Sequence, residues 1–152
     1  MISKNISYKE SIRSKTATRL GIDNTPNDEQ ISNMRLVAEM IFQPLRLWTG
    51  GPIKVNSFFR CKQLNTAIGG SKTSQHMKGE AIDIDDNLGN KSNAEMFKYI
   101  KDNLIYHQLI WEFGDDDNPL WIHFSYKGDC KNRMQVLRAI KVSGKTKYIE
   151  YK

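Results

Sequence analysis

Two hydrophobic rhythms organise the chain. From residue 28 to 48, Ile31, Met34, Val37, Ala38, Ile41 and Leu45 recur three or four positions apart, the stripe of a helix with one buried face. Asn27 is placed to cap it and Gly50-Gly51-Pro52 to end it. Pro44 either kinks it or breaks its hydrogen-bond ladder near the last turns. A short helix fits residues 7–20, with Ser7 as cap and Gly21 as stop, and another fits 62–67, closed by Gly69-Gly70. Residues 93–104 repeat the helical stripe in Met96, Phe97, Ile100 and Leu104.

Elsewhere the period drops to two. Residues 53–58 alternate, and so do 80–85, with Ala81, Asp83 and Asp85 on one face and Ile82 and Ile84 on the other. Three more strand-like segments cover 106–113, 119–126 and about 135–142, with a terminal strand near 147–151. Helices first and a predominantly antiparallel sheet later predict an α+β protein.

Composition narrows the setting. The length of 152 residues suits one domain over 1–152, and 39% hydrophobic residues suffice for a core. No run approaches the ~18 apolar residues of a membrane span, so no transmembrane segment is expected. The start, MISKNISYKES, has no apolar h-region, and synthesis in the cytoplasm without a signal peptide is the expectation. The two cysteines, Cys61 and Cys130, form no CxxC pair, which excludes thiolate zinc knuckles and favours reduced thiols. Nothing near Cys61 marks it as a nucleophile.

The net charge of +6 draws the chain toward polyanions such as nucleic acid, an anionic lipid surface or an acidic wall polymer, or else is a solvated basic face. There is no basic-aromatic interleaving and no recognition helix, so specific nucleic-acid binding is not expected.

The candidate chemistry lies in SQHMKGEAIDID at 74–85 and PLWIHFS at 119–125. Gly79 allows a turn that folds His76 back toward the strand carrying Asp83. On the later strand His123 shares a face with Trp121 and Ser125, while Leu120, Ile122 and Phe124 face the core. If the two strands are neighbours, His76, Asp83 and His123 converge. Two imidazoles and one carboxylate are the three-ligand set of an open, catalytic zinc site; structural sites use four ligands and prefer thiolates. Taken singly, each residue also suits a hydrogen-bonded structural role. Asp83, between two isoleucines, needs a partner, because an unpaired carboxylate there costs several kcal/mol.

The pattern SxHxxGxAxD followed by WxHxS resembles the M15 peptidases, the zinc D-Ala-D-Ala carboxypeptidase and L-Ala-D-Glu endopeptidase group. Their single-domain branch from phage and bacterial genomes is the part resembled. The likeness covers 53–125, about half of the chain. Against the family segment SGYRxxxLNxxxGGxxxSxHxxGxAxD, the residues Arg60, Leu64, Asn65, Gly69, Gly70, Ser74, His76, Gly79, Ala81 and Asp83 fit, while Phe58 and Phe59 replace glycine and tyrosine.

The resemblance implies a Hedgehog/DD-peptidase-like α+β domain, an antiparallel sheet with flanking helices. It implies Zn2+ held by His76, Asp83 and His123, and Arg60 facing the substrate, where a guanidinium suits a carboxylate or a developing oxyanion. The implied activity is hydrolysis of peptide bonds in peptidoglycan stem peptides. A phage-type lysin, made in the infected bacterium's cytoplasm and reaching the wall after release, fits the expected lack of a signal peptide. A monomer is the default.

One position departs from the pattern. Several relatives carry an acidic residue three positions before the last histidine; here Leu120 stands there and can do no proton chemistry. Glu112 in QLIWEFG is the best substitute base, on a strand with Ile110 on its face and Leu109, Trp111 and Phe113 opposite. Asp115, Asp116 and Asp117 are the other source of a base, or a solvated turn. Ser74 and Gln75 hydrogen-bond substrate or brace a ligand, and Asp85 stands behind one. His107 is expected at the surface, and Trp121 in the cleft wall or the core. The alternative function, supported by Leu120, is a zinc-bearing module that binds wall or peptide without cleaving it.

Overall fold

A computed structural model describes residues 1–86 and 88–152. Helices α1 (Tyr8–Ser11), α2 (Lys15–Leu20), α3 (Asp28–Val37) and α4 (Gln43–Thr49) precede strand β1 (Lys54–Ser57). Then come α5 (Lys62–Ala67), a 3-10 turn (Gln75–Lys78), β2 (Ala81–Asp85) and α6 (Asn93–Asn103). The chain ends in β3 (Gln108–Glu112), β4 (Trp121–Ser125), β5 (Gln135–Val142) and β6 (Lys145–Glu150). The class is α+β, as the order of patterns predicts. The six strands form one open sheet in the order β1-β2-β4-β3-β5-β6. Every pairing is antiparallel except β3 with β5.

Three predicted elements differ in form. The helix expected over 7–20 is two helices. Ser14 leaves helical geometry and caps α2, accepting from the Ala17 N–H, so the chain turns between Ile12 and Ser14. Asn24 occupies the break: its Nδ2 donates to the carbonyls of Ile12 (2.9 Å) and Phe59 (3.0 Å), and its Oδ1 accepts from the Cys61 N–H (2.7 Å).

The helix expected over 28–48 runs through without a break, but a π-helical turn (Ala38–Phe42) separates α3 from α4. Pro44 has no N–H for the regular ladder, and the widened turn, where Gln43 N–H donates back to Ala38 O, absorbs the mismatch. The terminal strand begins earlier than expected, at Lys145, because Ser143 (φ 51) and Gly144 (φ 74) make a two-residue hairpin turn with β5.

The sheet has two faces with different duties. Val55, Ile82, Ile84, Leu109, Trp111, Ile122 and Phe124 point to one face and pack with Met34, Val37, Ile41, Phe42, Leu45, Met96, Phe97 and Ile100 from the helices. That face is the core. The opposite face carries Asp83, His123, Ile110 and Glu112, because the pleat alternates side chains.

Two residues leave the alternation. Leu120 precedes β4 and is 59% exposed, so it does not face the core as expected. Phe113 follows β3 with φ 56, which swings its ring off the core face and onto Trp121 (centroids 5.3 Å apart).

Helix α3 reaches across to hold the 75–78 turn. Gln30 Nε2 donates to Met77 O (3.0 Å) and Asn33 Nδ2 to Lys78 O (2.9 Å). Gly79 closes the turn at φ +73, and a Cβ there would meet Gln30 O at 2.5 Å and the Met34 side chain at 2.8 Å. Gly79→Ala combines left-handed strain with a clash against backbone, and should cost roughly 2–4 kcal/mol in urea-denaturation stability. An unshifted urea midpoint would refute this account of the turn.

Candidate metal centre

Neighbouring strands bring the site together. Asp83 on β2 and His123 on β4 are paired directly across the ladder. His76 comes from the 3-10 turn, three residues before Gly79 sends the chain into β2. The segment before α5 grips this histidine from both sides: Phe58 O accepts from His76 Nδ1 (2.7 Å), and the Arg60 N–H donates to His76 O (3.3 Å). The glycine-to-phenylalanine replacement at position 58 therefore leaves the contact intact, since a backbone carbonyl makes it. The Phe58 ring is buried in the core.

Hydrogen bonding then decides which nitrogens face the centre. A carbonyl only accepts, so His76 Nδ1 carries its proton and Nε2 presents a lone pair. That Nε2 is buried, without a hydrogen bond, 3.2 Å from Asp83 Oδ2. His123 Nε2 donates to Gln75 Oε1 (2.9 Å), which leaves Nδ1 facing Asp83 Oδ1 at 2.9 Å. Two lone pairs and a carboxylate thus confront one another, within 4.8 Å, in a place where His76 is only 2% exposed and His123 8%. Such a grouping needs positive charge at its centre. A proton shared with an imidazole supplies some; a divalent cation satisfies all three donors at once.

Burial pushes the Asp83 carboxyl up, but positive charge on His76, and the hydrogen bonds that protonated His123 and His76 rings would make to it, outweigh burial. They hold Asp83 well below the usual carboxylate range. The donor set, two imidazole nitrogens and one carboxylate oxygen with the second ring nitrogens anchored to oxygen acceptors, fits a resident Zn2+.

The centre sits on the floor of a cleft of roughly 810 Å³. Arg60 is half-buried in its wall and donates to Ser74 Oγ at 3.5 Å. Burial pulls the guanidinium below its ordinary value, against the opposing influence of Asp83, Tyr148 and Glu112. Glu112 is 6% exposed and lines the same cleft. Desolvation pushes its carboxyl up to about 7; His123 opposes, Asp83 adds to the rise and Arg60 opposes.

A family model, Peptidase M15, matches residues 4–125. The chain belongs to the M15 peptidase family. Peptidases of this family are in general zinc-dependent, and the His-Asp-His group is the arrangement that could hold such an ion. Among curated proteins no match is found.

The remaining sequence candidates fall on different sides. Gln75 meets His123, and Ser74 meets Arg60; both line the cleft of this M15 chain. Trp121 also lines it, half-buried. Asp115 accepts from the N–H groups of Asp117 and Asn118, and Asp116 pairs with Arg138. Those three aspartates form an exposed turn, and among the described residues none of them lines the cleft.

Asp85 accepts from Asn93 Nδ2 (2.9 Å), which also donates to Pro119 O and Leu120 O and so pins the approach to β4. His107 is a correction: it is 4% exposed, with Nδ1 bonded to Lys131 O (3.1 Å), because the chain after β4 folds back over it. Cys61 caps α5, its Sγ accepting from the Leu64 N–H.

Leu137, Lys141, Thr146 and Tyr148 on β5 and β6 were not anticipated in the cleft wall. Their period-two pattern was visible, but which sheet neighbour they would join was not.

Gln75→Ala removes no candidate ligand, only the acceptor that orients His123. It should lower zinc affinity by about 10- to 100-fold by competition titration, and an unchanged affinity would remove Gln75 from the centre.

The metal-free protein should also show a pH signature. With Glu112 pushed up to about 7 from an ordinary 4.5, the folded state holds a proton that the unfolded chain releases earlier. Its contribution to stability is neutral below about pH 4.5 and falls as pH rises through 7, by on the order of 3 kcal/mol at most. Metal-free Glu112→Gln should therefore match the parent near pH 4 and exceed its urea-denaturation stability at pH 8.

Proposed function

We propose that the chain is a zinc peptidase with a Hedgehog/DD-peptidase-like fold that hydrolyses peptide bonds in peptidoglycan stem peptides. We place it in the setting of a phage-type lysin, acting as a monomer on the wall after release from the host cytoplasm. One observation carries the enzymatic part of this reading. A buried glutamate with a raised pKa lies in the same cleft as two lone-pair nitrogens and a carboxylate aimed at one point.

The ion held by His76, Asp83 and His123 would supply Lewis acidity, polarising the substrate carbonyl and acidifying water at the site. The chain's own groups do the rest. Glu112 accepts the water's proton as the carbonyl is attacked and passes it to the leaving amine. Burial, which raises the carboxyl's affinity for a proton, suits it to both halves of that task. Arg60, positively charged at any working pH, holds the carbonyl oxygen as negative charge collects on it. Gln75 keeps the His123 ring in register, and Ser74 steadies Arg60. Leu120 is no obstacle in this scheme, because the proton carrier comes from β3 and not from the residue three before His123.

The basic character of the chain supports a wall substrate in general terms, since teichoic and peptide carboxylate groups are anionic.

The experiment is digestion of purified peptidoglycan with the zinc-loaded protein, with and without chelator, products read by mass spectrometry. Chelator-sensitive release of peptides is expected, and the masses name the bond. Glu112→Gln should retain zinc and lose about 10²- to 10⁴-fold in kcat. No release from several wall chemotypes by a zinc-bound wild type would replace this reading with the non-catalytic wall- or peptide-binding module.

A further inference from the structure

The family match ends at Ser125, but the cleft does not. Its far wall is built by β5 and β6, and the strand register shows how. Trp121 on β4 pairs with Glu112 on β3, Glu112 with Ala139 on β5, and Ala139 with Tyr148 on β6. These four residues form one cross-strand row. Ala139 is fully buried and contributes only a methyl group. The row is therefore low at its middle, and the Tyr148 ring has room to lean over Ala139 toward Glu112. Thr146 and Lys141 form the next paired row beside it.

In a flat sheet, four strand spacings put β2 about 19 Å from β6. Yet one cleft touches both Asp83 and Tyr148, and the Tyr148 hydroxyl senses Glu112, Asp83 and Arg60 once burial is accounted for. The right-handed twist of a sheet turns its far strands toward one another, and here the β5–β6 hairpin supplies part of the wall of the cleft that holds Asp83. Arg60, following β1, and Tyr148, on β6, belong to opposite ends of the strand order, and both line the cleft that holds His76, Asp83 and His123.

The side chain itself is out of place as a packing residue. Tyr148 is 54% exposed, on a strand where every residue is exposed. Burial and the carboxylates of Glu112 and Asp83 keep the hydroxyl in its protonated form, so it is available as a donor. A neutral O–H beside a guanidinium suits an oxygen that carries partial negative charge.

We infer that Tyr148 is a substrate-contacting residue of this site: its hydroxyl donates a hydrogen bond to the carbonyl oxygen of the scissile peptide, opposite Arg60, and the bond strengthens as that oxygen gains charge. The inference rests on the peptidase reading above and adds to it a wall from outside the matched region. No bond to Tyr148 is made or broken in the reaction, and its proton stays on the phenol.

The test is Tyr148→Phe, measured in two ways: steady-state cleavage of a stem-peptide fragment by the zinc-loaded enzyme, and calorimetric binding of a phosphinic pseudopeptide whose tetrahedral oxygens copy the attacked carbonyl. The variant should lose about 10- to 100-fold in kcat with KM within about threefold, and a similar factor in pseudopeptide affinity. Zinc affinity and melting temperature should not move.

Unchanged kcat and unchanged pseudopeptide binding would overturn the inference. So would a KM effect alone, or a lowered melting temperature that accounts for the loss. If the wild type cleaves nothing, the peptidase reading fails by itself, and calorimetry still decides Tyr148, since equal affinity of the two proteins overturns its role.

Discussion

The arrangement turns on one carboxylate, Asp83, which two imidazoles hold in its charged form. Asp83 is half-buried between two imidazoles whose outer nitrogens are turned elsewhere, His76 toward Phe58 O and His123 toward Gln75. Electron density therefore points inward from three sides. Folding tolerates this because the groups are fixed by backbone: the β2–β4 ladder for Asp83 and His123, and the Gly79 turn for His76. Helix α3, through Gln30 and Asn33, locks that turn to the core. The apolar face of the sheet thus provides the stiffness, and the other face carries the cost.

The same burial that makes Asp83 demanding makes Glu112 useful. A carboxylate on this face loses water on entering the cleft, and Ile110, one step down its own strand, offers no compensation. Its proton affinity rises as a result. Position 120 shows the complementary point. Its side chain falls before β4 begins, where the backbone is held by Asn93 and the residue is open to solvent. In the proposed scheme the proton-carrying group, Glu112, stands on the neighbouring strand and lines the cleft, whereas Leu120 does not.

Much of this was readable in the residues, and the unreadable parts share a cause. The helical stripes, the strand alternation and the His76–Gly79–Asp83 spacing are local patterns, and they located the helices, β2 and β4 to within a few residues. Ser14 could be read equally as a helix residue or a cap, and only Asn24, ten positions away, decides for the cap. Pro44 announced a disturbance without saying that a π turn would absorb it. His107 looked solvent-facing because Lys131, which covers it, is distant in sequence. Tyr148 sat in a plain amphipathic strand, and its place in the cleft wall depends on a parallel β3–β5 pairing between segments distant in sequence.

The grip of Phe58 and Gln75 on the two histidines has a bearing on how the protein matures. In small zinc modules the ion assembles the fold, so uptake and folding are one event. Here the rings are aimed by hydrogen bonds within the chain, and the large hydrophobic cluster lies on the far side of the sheet. If the site holds the proposed ion, folding and loading would be separable: the polypeptide would reach its native shape first and acquire the ion later, through an open cleft. Occupancy then becomes a matter of timing and supply, not of synthesis.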